Sequence, residues 1–420
     1  MLHTSLLQEI VRRLPLRLES DHFFLHYGLR NPEYGPGLGG HGVTSSELVY
    51  RYCDALEDLY RLMTESPFNR QPPLVGASGK TAIYVFDTSS ILQGDGAFTD
   101  ADINGYPFIA LASRHREPTA EAALKRAEAE ATHEGTHVFN YRQRPFRDLY
   151  SWPWVWFDEA IAIFVESTVQ LGQPDCLRFL ASWIDMPELS LDHLAAKYQA
   201  GMFARYLEKR MGSGFINTVW TDSLPGETAL GALARLLRAR GPEFAASDPH
   251  VPDVFASGYC MDSYFLWDPS SAGFSPDVHD RYGERAVTRS WQIEAGEPAS
   301  CQGTLDHLAC RYYRCYLQGN VTALQVRLET EPGSNLTPLK AEVAEVTKAR
   351  KRGFVRPLSR LIPSSSGGQA VLSTMLTGLE PEKIDHLVLV VSNCGLRADA
   401  TGYSIAHDDG QEYTLEISTP

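Results

Sequence analysis

The stretch ATHEGTHVFN, residues 131–140, constrains this chain more than any other part of the sequence. Within it His133, Glu134 and His137 form an H-E-x-x-H pattern. Residues four apart on a helix share one face, so two such imidazoles can bind one Zn²⁺ while the Glu reaches a water on the metal. Residues 118–139 are rich in Ala, Glu, Leu, Lys and Arg, which predicts the required helix. The alternative for so short a pattern is two histidines on a partly buried helix.

A second segment, WFDEAIA at residues 156–162, makes the metal hypothesis more specific. With it the chain resembles the gluzincin zinc metallopeptidases, in which a second helix, often W-x-x-E-G-x-A, supplies a Glu as third ligand. Glu159 stands at that position, and 21 residues separate it from His137. The resemblance implies Zn²⁺ held by His133, His137 and Glu159. Two His and one Glu leave the fourth tetrahedral position open for water, as catalytic zinc requires.

The resemblance also implies roles in peptide hydrolysis. Zinc would lower the pKa of its bound water towards ~7 and polarise the substrate carbonyl. Glu134 would take the proton of that water as general base and pass it to the leaving amine as acid. Zinc aminopeptidases add an oxyanion donor from the Tyr of a Y-x-x-G stretch, which Tyr198 to Gly201 resemble. The alternative for Tyr198 is a core tyrosine at the start of a helix.

Two departures from the family pattern limit this interpretation. The residue four positions after the third ligand is Ile163, where thermolysin-like members have an acidic side chain that orients a zinc histidine. Asp158 or Glu166 could take over that task, since ligating histidines usually need such a partner. A G-x-M-E-N exopeptidase motif is absent before the zinc helix, so aminopeptidase activity is not predicted.

Residues 20–140 predict a small mixed sheet with the zinc helix. Residues 21–28, 80–87 and 108–113 have the composition of strands, and an apolar face predicts a helix over about 45–63. The family resemblance implies that the strand at 108–113 is the edge strand to which substrate backbone adds. An ordinary interior strand is the alternative. From Glu159 to about residue 240 the pattern is mainly helical.

From about Leu305 the sequence changes to short alternating runs separated by turn residues. These runs are ACRYYRCYLQ, TALQVRLET, LKAEVAEVT, AVLSTMLTGL, HLVLVVSNC, YSIAHD and YTLEIS. Seven short strands without helices between them predict an antiparallel β-sandwich. The predicted fold class is therefore α+β. A zincin-like metallopeptidase domain over 1–300, helical from 141 onward, precedes a sandwich over 305–420.

The composition of the chain argues against two classes of partner, nucleic acids and membranes. A net charge of −14 disfavours a nucleic-acid surface, and no segment has 18 consecutive apolar residues, so no membrane span is predicted. The first 20 residues lack the features of a signal peptide and look like a short amphipathic helix. Scattered cysteines without C-x-x-C favour the cytoplasm, although Cys301, Cys310 and Cys315 are close enough in sequence for one disulfide.

The sequence thus predicts a zinc-dependent metallopeptidase acting on a peptide or protein substrate. One alternative is a degenerate peptidase fold that serves as a binding or scaffolding protein. Another is a zinc hydrolase of a non-peptide amide or ester. The intact Glu134 favours an enzyme, because a protein freed from catalytic selection can keep its metal ligands and lose its base.

Overall fold

The structure is a computed structural model of the 420-residue chain. It describes residues 9, 12–29, 42–43, 45–90, 92, 96–144, 154–169, 185–240, 259–260, 286–330, 339–348, 355–360, 362–366, 369–393 and 410–420. The fold class is α+β, as predicted. The chain divides into two compact units, one formed by Met1–Phe179 with Lys197–Ala229 and the other by Leu180–Ala196 with Leu230–Pro420.

The first unit is built on a five-stranded mixed sheet. Its strands are β1 Leu16–Glu19, β2 Phe23–Tyr27, β3 Thr81–Phe86, β4 Phe98–Ala101 and β5 Pro107–Ala112. The order across the sheet is β1-β2-β3-β5-β4. β2, β3 and β5 run parallel, and β1 and β4 lie antiparallel at the two edges. The predicted strands at 21–28, 80–87 and 108–113 are confirmed.

Two sequence predictions about this sheet need correction. The strand at 108–113 corresponds to β5, which pairs with β3 on one side and β4 on the other. It is therefore interior, and the edge strand is β4. The amphipathic helix predicted for residues 1–20 does not extend over residues 16–19, which form strand β1 and pair antiparallel with residues 24–27 of β2, whereas residues 9 and 12 are helical and residues 1–8, 10 and 11 lie outside the described residues.

The helices of the first unit cover the mixed sheet and carry the candidate site. They are α1 Ser46–Thr64, α2 Ala120–Gln143, α3 Val155–Val169, α4 Gly201–Met211 and α5 Phe215–Thr221. A sixth helix, α6 Ala229–Arg240, starts at Ala229, the last residue of the first unit, and its other residues belong to the second unit. The Thr119 side chain caps α2 by accepting from the Ala122 amide at 3.1 Å. The core between sheet and helices includes Leu25, Ile83 and Ile109 from the strands and Tyr52 and Leu56 from α1.

None of the helices among the described residues is long and apolar enough to cross a membrane.

The second unit contains a β-sandwich of two five-stranded sheets. Its strands are β6 Arg289–Ile293, β7 Ala299–Leu305, β8 Ala309–Leu317, β9 Ala323–Thr330, β10 Leu339–Thr347, β11 Val355–Arg360, β12 Ile362–Ser366, β13 Gln369–Thr377, β14 Ile384–Asn393 and β15 Gln411–Ser418. The sheet orders are β11-β10-β14-β8-β6 and β12-β13-β9-β15-β7, and one apolar core contains side chains from both sheets. All described pairings are antiparallel except β6 with β8, which is parallel.

Six of the seven predicted strand runs coincide with β8, β9, β10, β13, β14 and β15. The seventh, YSIAHD, lies outside the described residues. The sequence predicts the sandwich over 305–420, whereas its sheets begin at Arg289, because β6 pairs with β8 and β7 with β15. Cys301, Cys310 and Cys315 are free thiols.

The compact units also differ from the predicted domain limits in residues 180–196 and 230–300. Part of the reason is visible in the backbone around residue 190. The Leu191 amide donates to the Leu308 carbonyl at 3.1 Å, and the Cys310 amide donates to the Pro187 carbonyl at 3.0 Å. These bonds join the segment to the strands of the sandwich unit.

Candidate metal centre

The three predicted ligands converge from two helices. His133 and His137 lie one turn apart on α2, and Glu159 lies in the first half of α3. Their ligand atoms all lie within 4.8 Å of one another. The Oε2 atom of Glu159 is 3.2 Å from His133 Nε2 and 3.6 Å from His137 Nε2. Both imidazoles therefore present Nε2 to the same carboxylate oxygen.

The opposite nitrogen of each imidazole faces a second carboxylate. His133 Nδ1 lies 3.3 Å from Glu166 Oε2, and His137 Nδ1 lies 2.8 Å from Asp158 Oδ2. Such partners select the tautomer that leaves Nε2 free to bind a metal and raise the basicity of the ring. The sequence left open whether Asp158 or Glu166 takes this role, and the structure places both there, one for each histidine.

The electrostatics of the cluster suit a cation. Burial alone would lower the pKa of His133, but its contacts with Glu159 and Glu166 outweigh burial and raise the pKa to about 9. The same competition, decided by Asp158 and Glu159, raises the pKa of His137 well above its ordinary value. Burial would raise the pKa of Glu159, yet the two histidines hold it well below its ordinary value.

Four buried carboxylates, those of Glu134, Asp158, Glu159 and Glu166, gather around the two imidazoles. A divalent cation bound between the imidazoles would offset part of this negative charge. Two imidazoles and one carboxylate are also a donor set that zinc accepts. The residues present therefore fit a zinc ion.

A buried polar chain extends from His137 away from the ligand atoms. Asp158 Oδ1 accepts from Asn140 Nδ2 at 2.6 Å, and Asn140 Oδ1 in turn accepts from the Arg70 guanidinium. Arg70 also donates through Nε to Asn217 Oδ1 at 2.5 Å. Burial lowers the pKa of Arg70 to about 9 against the opposing effect of Asp158. The chain ties α2, α3 and α5 to the carboxylate that orients His137.

The predicted general base is held by the edge strand of the mixed sheet. Thr99 Oγ1 on β4 lies 2.9 Å from Glu134 Oε2 and 2.9 Å from the main-chain oxygen of Glu134. Thr99 and Glu134 are both buried. Thr99 thus orients one carboxylate oxygen of Glu134. Glu134 lies on the same helix as the two histidines but is not one of the three residues grouped as possible metal ligands.

Tyr198 lies beside the ligands, in a turn just before α4. Its ring centroid is 6.1 Å from that of His133. Burial and the Glu159 carboxylate raise the pKa of Tyr198, and Lys197 opposes this effect. The side chain therefore keeps its hydroxyl proton at neutral pH and can donate a hydrogen bond. Lys197, which the sequence analysis did not single out, donates from Nζ to Glu159 Oε1 at 2.5 Å.

Close helix packing positions this turn. A Cβ added to Gly201 would lie 2.5 Å from Ile163 Cγ2 and 2.7 Å from Ile163 Cβ. The first turn of α4 therefore packs directly on α3, one turn after Glu159. This contact accounts for the apolar residue at position 163. That position is covered by α4, and the carboxylate that orients His133 comes from Glu166 instead.

Gly135 has a similar role on α2. A Cβ at that position would lie 2.4 Å from Leu59 Cδ2 and 3.0 Å from Leu56 Cδ2 of α1. Glycine inside a helix costs roughly 0.5–1 kcal/mol relative to alanine. Because Gly135 has no side chain, α1 can approach the helix that carries His133 and His137. This close packing explains why a residue that disfavours helices stands at position 135.

Comparison with known proteins adds little to this geometry. No family model matches the chain, and no curated protein matches it either. The pre-peptidase C-terminal domain of a Bacillus anthracis collagenase is 9% identical and covers 32% of this chain and 99% of its own length, with a TM-score of 0.19. PliG from Aeromonas hydrophila, a periplasmic inhibitor of g-type lysozyme, is 13% identical and covers 32% of this chain and 100% of its own, with a TM-score of 0.19.

A third similar structure is CorA, a surface-associated copper-binding protein important in copper acquisition by Methylomicrobium album BG8. It is 12% identical and covers 32% of this chain and 99% of its own, with a TM-score of 0.20. Likenesses of this size carry no argument about the fold or function of this protein.

Proposed function

We propose that this protein is a zinc-dependent metallopeptidase of the gluzincin type, with a zincin-like fold in its first unit. The observation that carries the proposal is the arrangement around Glu159 Oε2. Two histidines direct Nε2 toward it, and each has a carboxylate against its Nδ1. Two buried histidines with no role beyond packing would not need a carboxylate against each Nδ1 atom and a third carboxylate between their Nε2 atoms.

The proposed ligands are His133, His137 and Glu159. Zinc, when bound, supplies Lewis acidity that lowers the pKa of a coordinated water towards ~7 and polarises a carbonyl group. Glu134, oriented by Thr99, takes the proton from the attacking water and delivers it to the leaving amine. Tyr198 donates its hydroxyl proton in a hydrogen bond to the developing oxyanion.

The edge strand β4 is the proposed site for substrate backbone. Among the described strands β4 is the outermost on its side of the sheet, with β5 as its neighbour. Thr99 of this strand contacts Glu134, which brings the edge close to the general base. An extended peptide added along β4 would be held by main-chain hydrogen bonds without sequence selection.

Elemental analysis combined with digestion of a proteome-derived peptide library tests the proposal. We expect about one zinc per chain in the parent protein, as the three-residue site found in the described part of the chain implies, and cleavage of library peptides. His137→Ala should lose both zinc and cleavage. His386→Ala, which removes a buried histidine in the sandwich, is the matched control and should keep both.

Two results would count against the proposal in different ways. Full zinc occupancy in His137→Ala would show that zinc binds elsewhere. A parent that holds zinc but cleaves no peptide would favour the degenerate scaffold or a non-peptide amide or ester as substrate.

A further inference from the structure

Lys197 contacts a proposed zinc ligand through the oxygen that the histidines leave free. Its Nζ donates to Glu159 Oε1 at 2.5 Å, while Glu159 Oε2 faces His133 and His137. The side chain of Lys197 is 22% exposed, so water screens this ion pair only in part. The same ammonium lies 4.4 Å from the centroid of the Tyr198 ring. One lysine thus contacts both a ligand and the proposed oxyanion donor.

The side chains that contact the three proposed ligands differ in the sign of their charge. Each histidine has a carboxylate behind it, which raises the electron-donating power of the imidazole. Glu159 instead has an ammonium, which draws electron density from the carboxylate and weakens it as a donor. A metal ion on Oε2 and the Lys197 ammonium on Oε1 would share one carboxylate and repel each other. If Lys197 served zinc retention alone, this arrangement would be counterproductive.

We propose that Lys197 is a positioning residue that restricts Glu159 to binding zinc through Oε2 alone and sacrifices zinc affinity for a stronger Lewis acid. The inference rests on the proposed function and deepens it. With Oε1 held by Lys197, Glu159 would offer zinc its Oε2 atom alone. A weaker carboxylate donor leaves more positive charge on the metal.

If this is correct, loss of the Lys197 charge should strengthen zinc binding and lower kcat. Replacing Lys197 by Met removes the charge and keeps most of the side-chain length. Zinc affinity, measured by competition with a chromophoric chelator, should become about 10-fold tighter, the scale on which outer partners of metal ligands act. The kcat for a peptide found by library digestion should fall about 10-fold or more with KM nearly unchanged, because the loss falls on the transition state.

Lys197→Arg and Lys125→Met are the comparison variants. Lys197→Arg keeps the charge and should return zinc affinity toward the parent value. Lys125→Met removes an equal charge from a lysine on α2 that is 45% exposed and lies 3.9 Å from Glu121, and should change neither quantity. Thermal unfolding of each variant reports whether it is folded.

The outcomes separate this inference from the proposed function. If the parent binds no zinc and cleaves no peptide, the proposed function fails. If the parent does both but Lys197→Met binds zinc equally or more weakly, Lys197 merely supports the local structure and the inference fails. Should Lys197→Met not fold, Lys197→Gln removes the charge in its place, and zinc affinity equal to or weaker than that of the parent would then overturn the inference.

Discussion

Two carboxylates of the proposed zinc site are not ligands themselves but contact the histidines that are. Asp158 and Glu166 face the Nδ1 atoms of His137 and His133. Asp158 is held by Asn140 and, through it, by the buried Arg70, which extends the influence of this ligand partner over three helices.

Replacing these carboxylates by amides should weaken zinc binding. Asp158→Asn and Glu166→Gln keep the shape and remove the charge that orients each imidazole, so zinc affinity should fall about 10–100-fold in each. The measurement is chelator competition. Asp385→Asn removes a carboxylate 2.7 Å from His386 in the sandwich and is the matched control. Unchanged affinity in both site variants would mean that the histidines are held by helix packing alone.

The site residues differ in how far sequence could predict them. His133, Glu134, His137 and Glu159 were predictable because helical spacing and a second short motif specify them. The role of Tyr198 stays a prediction from the Y-x-x-G resemblance, and Lys197, which precedes that stretch, was not singled out. Thr99 was not, since its hydroxyl reaches Glu134 from a strand to a helix 35 residues away, a contact that no local pattern encodes.

At the scale of elements, the contact between α3 and α4 positions the site. Gly201 packs against Ile163, and Tyr198 lies three residues before this contact. The helix that carries Glu159 thus determines where the turn with Lys197 and Tyr198 can lie. A side chain at position 201 would have to displace either α4 or Ile163, which is itself buried.

Gly201→Ala should therefore lower both stability and activity. Overpacking typically costs about 1–3 kcal/mol of unfolding free energy, and displacement of Tyr198 should reduce kcat more than zinc content. Ile163→Ala removes one of the two closest atoms, so the double variant should lose less stability than the sum of the single variants. Denaturant unfolding measures this coupling.

Gly96→Ala is the control for this experiment, because the nearest atom to its added Cβ among the described residues would be Leu92 Cδ1, at an ordinary 3.6 Å. Strict additivity of Gly201→Ala and Ile163→Ala would contradict a direct steric contact between the two positions.

Strand prediction succeeded for strands in the interior of the three sheets and failed at their edges. β10 is predicted over its full length because buried and partly exposed residues alternate along it. β1, β6 and β7 were not predicted, and each lies at the edge of its sheet. Edge strands bury fewer side chains and depend on a neighbour for their hydrogen bonds, so their own sequence carries a weaker signal.

At the scale of the whole molecule, sequence predicted the two kinds of architecture better than the limits between them. The change from helix-rich to strand-rich sequence near Leu305 is real, yet β6 and β7 precede it. Residues 187–191 join the sandwich unit through backbone hydrogen bonds to residues 308 and 310, a contact over more than a hundred positions. Composition along the chain cannot reveal such a contact.

The central claim for the whole protein is that hydrolysis is driven by a zinc site with Glu134 as its base. The most direct measurement is peptide hydrolysis by Glu134→Gln, with zinc content determined on the same sample. The amide keeps the shape of the side chain and cannot accept the proton. Glu128→Gln, on the same helix and paired with Arg51 at 3.0 Å, is the control and should behave like the parent. Glu134→Gln should hold zinc at the parent level and hydrolyse peptides at least ~10²-fold more slowly. Undiminished hydrolysis in a folded, zinc-loaded Glu134→Gln protein would contradict this claim.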